Sequence, residues 1–174
     1  KILFIKLSEM GAIILAYPLI KKIKEKYKAK MFFLTFRKNK DIFKFLNEII
    51  PEQNILTISD ESLSSFITDT ITTIKKIRKE KIDIIFDLEL FSRFTAIVSF
   101  LSRANKKVGF YRYSMEGLYR GSSLTHRVQY NPFLHMSKMY LSLLQIVEKE
   151  RKFTPELEKN VDDNEDLDFC DIRV

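Results

Sequence analysis

Short apolar runs alternate with segments of helical spacing along this chain, and that alternation most restricts what it can become. "KILFIK" (1–6), "AKMFFLTF" (29–36), "NILTIS" (54–59), "IDIIFDL" (82–88) and "KKVGF" (106–110) read as strands. Segments 11–27, 39–49, 60–81 and 92–104 repeat apolar residues three and four apart, as helices do. A loop-rich stretch, 111–134, then leads into a last helical pattern at 135–152. Pro18 lacks a backbone donor, so the first helix is expected to bend or to start late there. The 60–81 segment opens on acidic and serine residues and closes on a basic turn, as the helix dipole favours. Strands and helices in alternation predict an α/β fold: about five parallel strands with helices on both faces. Strands apolar throughout need cover on both sides, which puts 2–6 and 82–88 in the middle of the sheet.

The 174 residues suffice for one domain with a sizeable core. A single cysteine, Cys170, excludes a disulfide framework and a cysteine metal cluster. His126 and His135 have no third ligand in view, so no metal site is expected. The longest apolar run, "GAIILAYPLI", is about half of what a spanning helix needs, and no signal peptide is evident. The first residue is Lys1 rather than Met, which is consistent with a piece of something longer. Charge divides the chain: residues 153–174 carry eight acids and two bases, leaving a body, 1–152, with 28 bases and 15 acids. The body is expected to fold as the domain and the acidic end to be a linker or tail. A body this basic favours anions such as a phosphorylated substrate or an anionic membrane surface. It is not expected to bind nucleic acid, because its cations sit on helix faces with no recognised reading motif.

In folds of this kind ligands bind at the carboxyl ends of the strands. The turn "LSEMG" (7–11) stands there, with Ser8, Glu9 and Gly11; Asp87 and Glu89 follow the 82–88 strand. Arg93, Arg112, Arg120, His126 and Arg127 lie in or beside the later loops. Singly, each has a structural explanation: Asp87 capping the next helix, Glu9 solvated in its turn, each arginine in a surface pair. Jointly they put acids and forked cations on one sheet edge, suited to a phosphorylated, hydroxyl-rich molecule. The first turn has no G-x-G-x-x-G and the chain no Walker loop, so a Rossmann-type NAD or FAD site is not expected.

"ILFIKLSEMGAIILAYPLIKKIKEKY", "IDIIFDLELFSRFTAIVSFLSRANKKVGF" and "YNPFLHMSKMYLSLL", in this order, resemble successive blocks of the glycosyltransferase family 9 enzymes, the ADP-heptose:lipopolysaccharide heptosyltransferases. The resemblance spans about residues 2–150. It implies a Rossmann-like domain, the N-terminal, acceptor-binding half of a GT-B enzyme, with the nucleotide-sugar donor held by a second half that this chain lacks. It also implies a bacterial protein on the cytoplasmic side of the inner membrane, with an acceptor of lipopolysaccharide or other cell-envelope glycan. The transfer would be inverting, without a metal or other cofactor, and the chain alone would not turn over substrate. Ser8, Gly11, Asp87, Glu89, Arg93, Arg112 and Arg120 would bind substrate. The family turn commonly reads Gly-Asp, with that Asp the proposed base; here Gly11 is followed by Ala12. Glu9, two residues earlier, is the candidate base in its place. The alternative is a non-catalytic sugar-phosphate or glycolipid binding module of the same fold.

Overall fold

A computed structural model describes residues 1–44, 46, 48–90, 92–111 and 123–152, the side chains of 150–152 excepted. Six strands form one sheet: β1 (Ile2–Ile5), β2 (Met31–Phe36), β3 (Ile55–Ile58), β4 (Ile84–Asp87), β5 (Lys106–Tyr111) and β6 (His126–Gln129). Their order across the sheet is β3-β2-β1-β4-β5-β6, and every adjacent pair runs parallel. The two strands expected in the middle, β1 and β4, are there, side by side with Ile5 opposite Asp87.

The helices are α1 (Met10–Leu15), α2 (Tyr17–Tyr27), α3 (Leu63–Glu80), α4 (Arg93–Leu101) and α5 (Met136–Lys152). Pro18 falls in the first turn of α2, where its missing N–H costs nothing, and the expected interruption appears as the break at Ala16. Serine side chains begin the helices of the other face: Ser62 Oγ accepts from Ser65 N–H before α3, and Ser92 Oγ from Thr95 N–H before α4. Strand pleating divides the core in two. Ile2, Phe4, Phe33, Phe86 and Phe110 meet α1, α2 and α5 on one face. Leu3, Ile5, Leu34 and Ile85 meet Ile77 of α3 and Val98 of α4 on the other. In register across the three central strands, the rings of Phe33, Phe4 and Phe86 stack at 6.2 and 5.6 Å between centroids.

Two expectations need correction. The 39–49 segment is not an α-helix at its start: Arg37–Lys44 is a 3-10 turn. Its buried residues Asn39 and Ile42 are three apart, and Asn39 is fixed by a 2.7 Å bond from Nδ2 to the Leu7 carbonyl. Phe43, four residues from Asn39, is buried as well, so the spacing admits either winding, and the tighter one places Asn39 on its bond to the Leu7 carbonyl. The 111–134 stretch is not all loop: His126–Gln129 adds the sixth strand, paired to β5. "HRVQ" lacks an apolar run because an edge strand is covered less completely than a central one. The acidic end, 153–174, lies outside the described residues.

Candidate functional site

Because β1 and β4 are adjacent and parallel, the turn after β1 and the segment after β4 meet at the carboxyl edge. Ser8, Glu9 and Gly11 come from the first, Asp87 and Glu89 from the second. The structure brings these five together and gives the two glutamates opposite surroundings.

Glu89 is buried, and its carboxylate is engaged by the neighbouring turn. Oε1 accepts the N–H of Leu7 at 2.7 Å, the N–H of Ser8 at 2.9 Å and the Ser8 hydroxyl at 3.0 Å. Oε2 lies 3.1 Å from Lys6 Nζ, a buried ion pair. Burial opposes the ionised form, but the Ser8 N–H, the Lys6 charge and the Leu7 N–H outweigh it and hold the carboxyl below the usual glutamate range. Glu89 thus ties β4 to the end of β1. From the opposite side Asn39 donates to the Leu7 carbonyl, so the turn is gripped through both N–H and C=O groups. Asp87, with no exposed surface, accepts the Glu89 N–H at 3.1 Å and shapes the exit from β4. The N-cap of α4 is Ser92.

Glu9 is exposed, and its side chain caps no backbone N–H and has no hydrogen-bond or ion-pair partner among the described residues. Its backbone is left-handed, φ 41° and ψ 105°, where a non-glycine residue is uncommon. Such conformations gather at functional sites when the surrounding structure enforces them, and here the clamp on residues 7 and 8 does so. The Glu9 carbonyl accepts Ala12 N–H at 3.1 Å, so residues 9 and 12 share the first turn of α1. Gly11 is exposed, and a Cβ built there meets nothing within 4 Å. Its value is therefore open space above the turn rather than a backbone geometry denied to other residues.

Arg93 is exposed at the start of α4, on the same edge. Arg112 and Arg120 lie outside the described residues. His126 and Arg127 are a correction: they belong to β6 rather than to the carboxyl edge, with Arg127 stacked 5.0 Å from the Tyr111 ring. His126 Nδ1 pairs with the Thr125 hydroxyl at 2.8 Å.

Sequence reasoning passed over Lys6, Asn39 and Tyr140. Lys6 had a signal, since a lysine continuing an apolar central strand needs a buried partner. Tyr140 of α5 is 1% exposed; burial, with the charges of Glu89 and Glu9 adding to it, holds its phenol protonated far above the ordinary range. Phe133, 94% exposed, sits in the loop that follows β6 at this same edge. An apolar cavity of about 280 Å³ lies at the opposite, amino edge, lined by Ile23, Tyr27, Phe86 and Leu144, and brings no convergent polar set to the carboxylates. Among the described residues no group of three or more His, Cys, Asp or Glu could hold a metal ion. No described helix is long and apolar enough to cross a membrane.

Neither a protein-family model nor a curated protein matches the chain. Solved structures do match its fold. The glycosyl transferase family 9 protein from Veillonella parvula DSM 2008 superposes with a TM-score of 0.66 at 17% identity, covering 84% of this chain and 40% of that one. E. coli heptosyltransferase WaaC, solved with ADP-2-deoxy-2-fluoro heptose, gives 0.66 at 12% identity over 82% of this chain and 46% of its own. E. coli ADP-heptose lps heptosyltransferase II gives 0.60 at 20% identity, over 82% and 39%. The chain therefore has the Rossmann-like α/β fold found in these glycosyltransferases and spans less than half of their length.

Proposed function

We propose that this chain is the acceptor-binding half of an inverting GT-B glycosyltransferase, with Glu9 as its general base. The observation that carries the proposal is the division of labour between two neighbouring carboxylates. Glu89 is spent on holding the turn, while Glu9 is displayed by that turn, exposed and with no side-chain partner among the described residues. In the proposed reaction an acceptor hydroxyl above Gly11 gives its proton to the Glu9 carboxylate as its oxygen attacks the anomeric carbon of the donor sugar. The bond from that carbon to the nucleoside diphosphate breaks, and the diphosphate leaves with the electron pair. A base within hydrogen-bond reach of the attacking oxygen typically contributes about 10²–10⁴-fold to such a step. The donor, a nucleotide-heptose in the finer form of this reading, is assigned to a second half beyond this chain. Arg93, Arg112 and Arg120 are assigned to acidic groups of a lipopolysaccharide-type or other cell-envelope acceptor. Location at the cytoplasmic face of a bacterial inner membrane, in peripheral contact with its anionic lipids, completes the proposal.

Ala12, where the resembling family commonly has its base, favours a second reading: a binding module of the same fold with no catalysis. One substitution separates the two. In a protein containing this chain together with its donor half, Glu9→Gln is expected to lower kcat by about 10²–10⁴-fold with acceptor KM nearly kept. Full activity in Glu9→Gln refutes Glu9 as the base. A parent protein that binds acceptor but transfers no sugar supports the binding module.

A further inference from the structure

We infer that the outward side of α3 and α4 is a docking surface for an anionic lipid bilayer. The two helices cover the same sheet face and touch each other: the Phe66 and Phe94 rings are 4.9 Å apart, and Arg78 Nε donates to the Leu101 carbonyl at 2.6 Å. Away from the sheet they leave large apolar side chains in water. On α3, Leu63, Ile67 and Ile71 stand four residues apart and so form one stripe, with Leu63 75% exposed. On α4, Ile97 and Phe100 are exposed three residues apart, with Phe100 at 63%. Isolated exposed apolar residues are ordinary; five on two touching helices form a patch that calls for a covering partner.

Charge says what covers it. Lys75, Arg78 and Lys79 lie toward the end of α3, Lys81 just beyond it and Arg103 just beyond α4, all of them exposed. Arg78, Lys81 and Arg103 share a notch with Asp83, Ser102 and Asn105, three cations to one carboxylate, and Lys81 and Arg103 form no ion pair among the described residues. α4 has no acid, and the acids beside this surface already have partners: Asp69 of α3 pairs with Arg37 at 2.9 Å, Glu80 with Lys1 and Lys30, and Asp83 with the Lys1 amino group. Apolar side chains bordered by an excess of cations complement a bilayer: acyl chains take the first and anionic headgroups the second. A second copy of this chain fits less well, since a symmetric pairing through this patch would set like cations against each other. The inference deepens the proposed peripheral contact with anionic membrane and rests on it. Vesicle binding is read without any transfer assay, so its failure and the failure of glycosyl transfer are separate results.

The chain contains no tryptophan, so Phe100→Trp supplies a single fluorophore at the centre of the surface. Its emission should shift to the blue with vesicles of phosphatidylcholine plus phosphatidylglycerol, and the shift should be absent with phosphatidylcholine alone and reversed by high salt. In that background, Lys75→Glu with Lys79→Glu should weaken vesicle binding by about 10²-fold with circular dichroism unchanged. The inference is overturned by no shift with either vesicle, or by equal shifts with both. It is also overturned by a lipid-free shift that grows with protein concentration, the mark of a second copy, or by a shift with an acidic polypeptide and not with vesicles.

Discussion

Glu89 and Glu9 differ in what each contributes to folding. Removing the Glu89 carboxylate strands Lys6 as a buried cation and leaves the N–H groups of Leu7 and Ser8 without their acceptor. Glu89→Ala is therefore expected to cost about 3–5 kcal/mol in denaturant unfolding, and Glu89→Gln, which keeps an acceptor oxygen, about 1–3 kcal/mol. The pH dependence follows from the lowered pKa. Glu89 stabilises the fold fully above its ordinary value of 4.5, and that contribution is lost as pH falls through the lower folded-state value. Acidification below 4.5 should thus destabilise the parent more than Glu89→Gln, read as the shift in urea midpoint between neutral and acid pH. Equal shifts would show that Glu89 is not held ionised by its partners. Glu9→Gln, by contrast, should leave the midpoint within about 0.5 kcal/mol of the parent, as for an exposed side chain away from packed groups.

Among elements, the 3-10 turn at Arg37–Lys44 matters to the site more than its length suggests. Asn39 reaches from it to the Leu7 carbonyl, so Asn39→Ala should leave that buried acceptor unpaired and cost about 1–3 kcal/mol. Amide exchange at Ser8 and Glu9 should quicken as well; unchanged exchange there would show that the turn does not depend on Asn39. This bond also explains why the turn was read as an α-helix. The helical reading rests on Phe43, Phe45, Leu46 and Ile49, a spacing that does not include Asn39, whose partner lies 32 residues earlier in the chain. β6 was missed for a different reason: an edge strand such as "HRVQ" needs only part of the apolar signal that makes β1 and β4 conspicuous. The meeting of residues 7–11 with 87–89 was legible, because the order of elements alone brings consecutive carboxyl ends to one edge. The roles of the two glutamates were not, because Lys6 and Glu89 are 83 residues apart and no local pattern joins them.

On the scale of the whole molecule, the two surfaces proposed to face ligands lie on different sides of one chain. The carboxyl edge displays Glu9 and Gly11, and the outward side of α3 and α4 carries apolar side chains and cations. Both depend on the strand order β3-β2-β1-β4-β5-β6, which starts the sheet in its middle and extends it to either side. That order has a consequence for the chain as it leaves the ribosome. β1, β2 and β3 can assemble as soon as they emerge, but the other side of β1 then stays open until residues 84–87 follow. During that interval the open strand is "ILFI", an apolar edge ready to pair with any extended segment nearby. Nascent chains halted after α3 has emerged should therefore sediment as aggregates or recruit holdase chaperones. Chains halted after β5 has emerged should stay dispersed, the open edge having moved to a strand that begins with two lysines. Equal solubility at the two lengths would mean that β1 is shielded in some other way while it waits. Slower decoding before residue 84 would lengthen the exposure, and in this fold the tempo of synthesis between α3 and β4 becomes a determinant of yield.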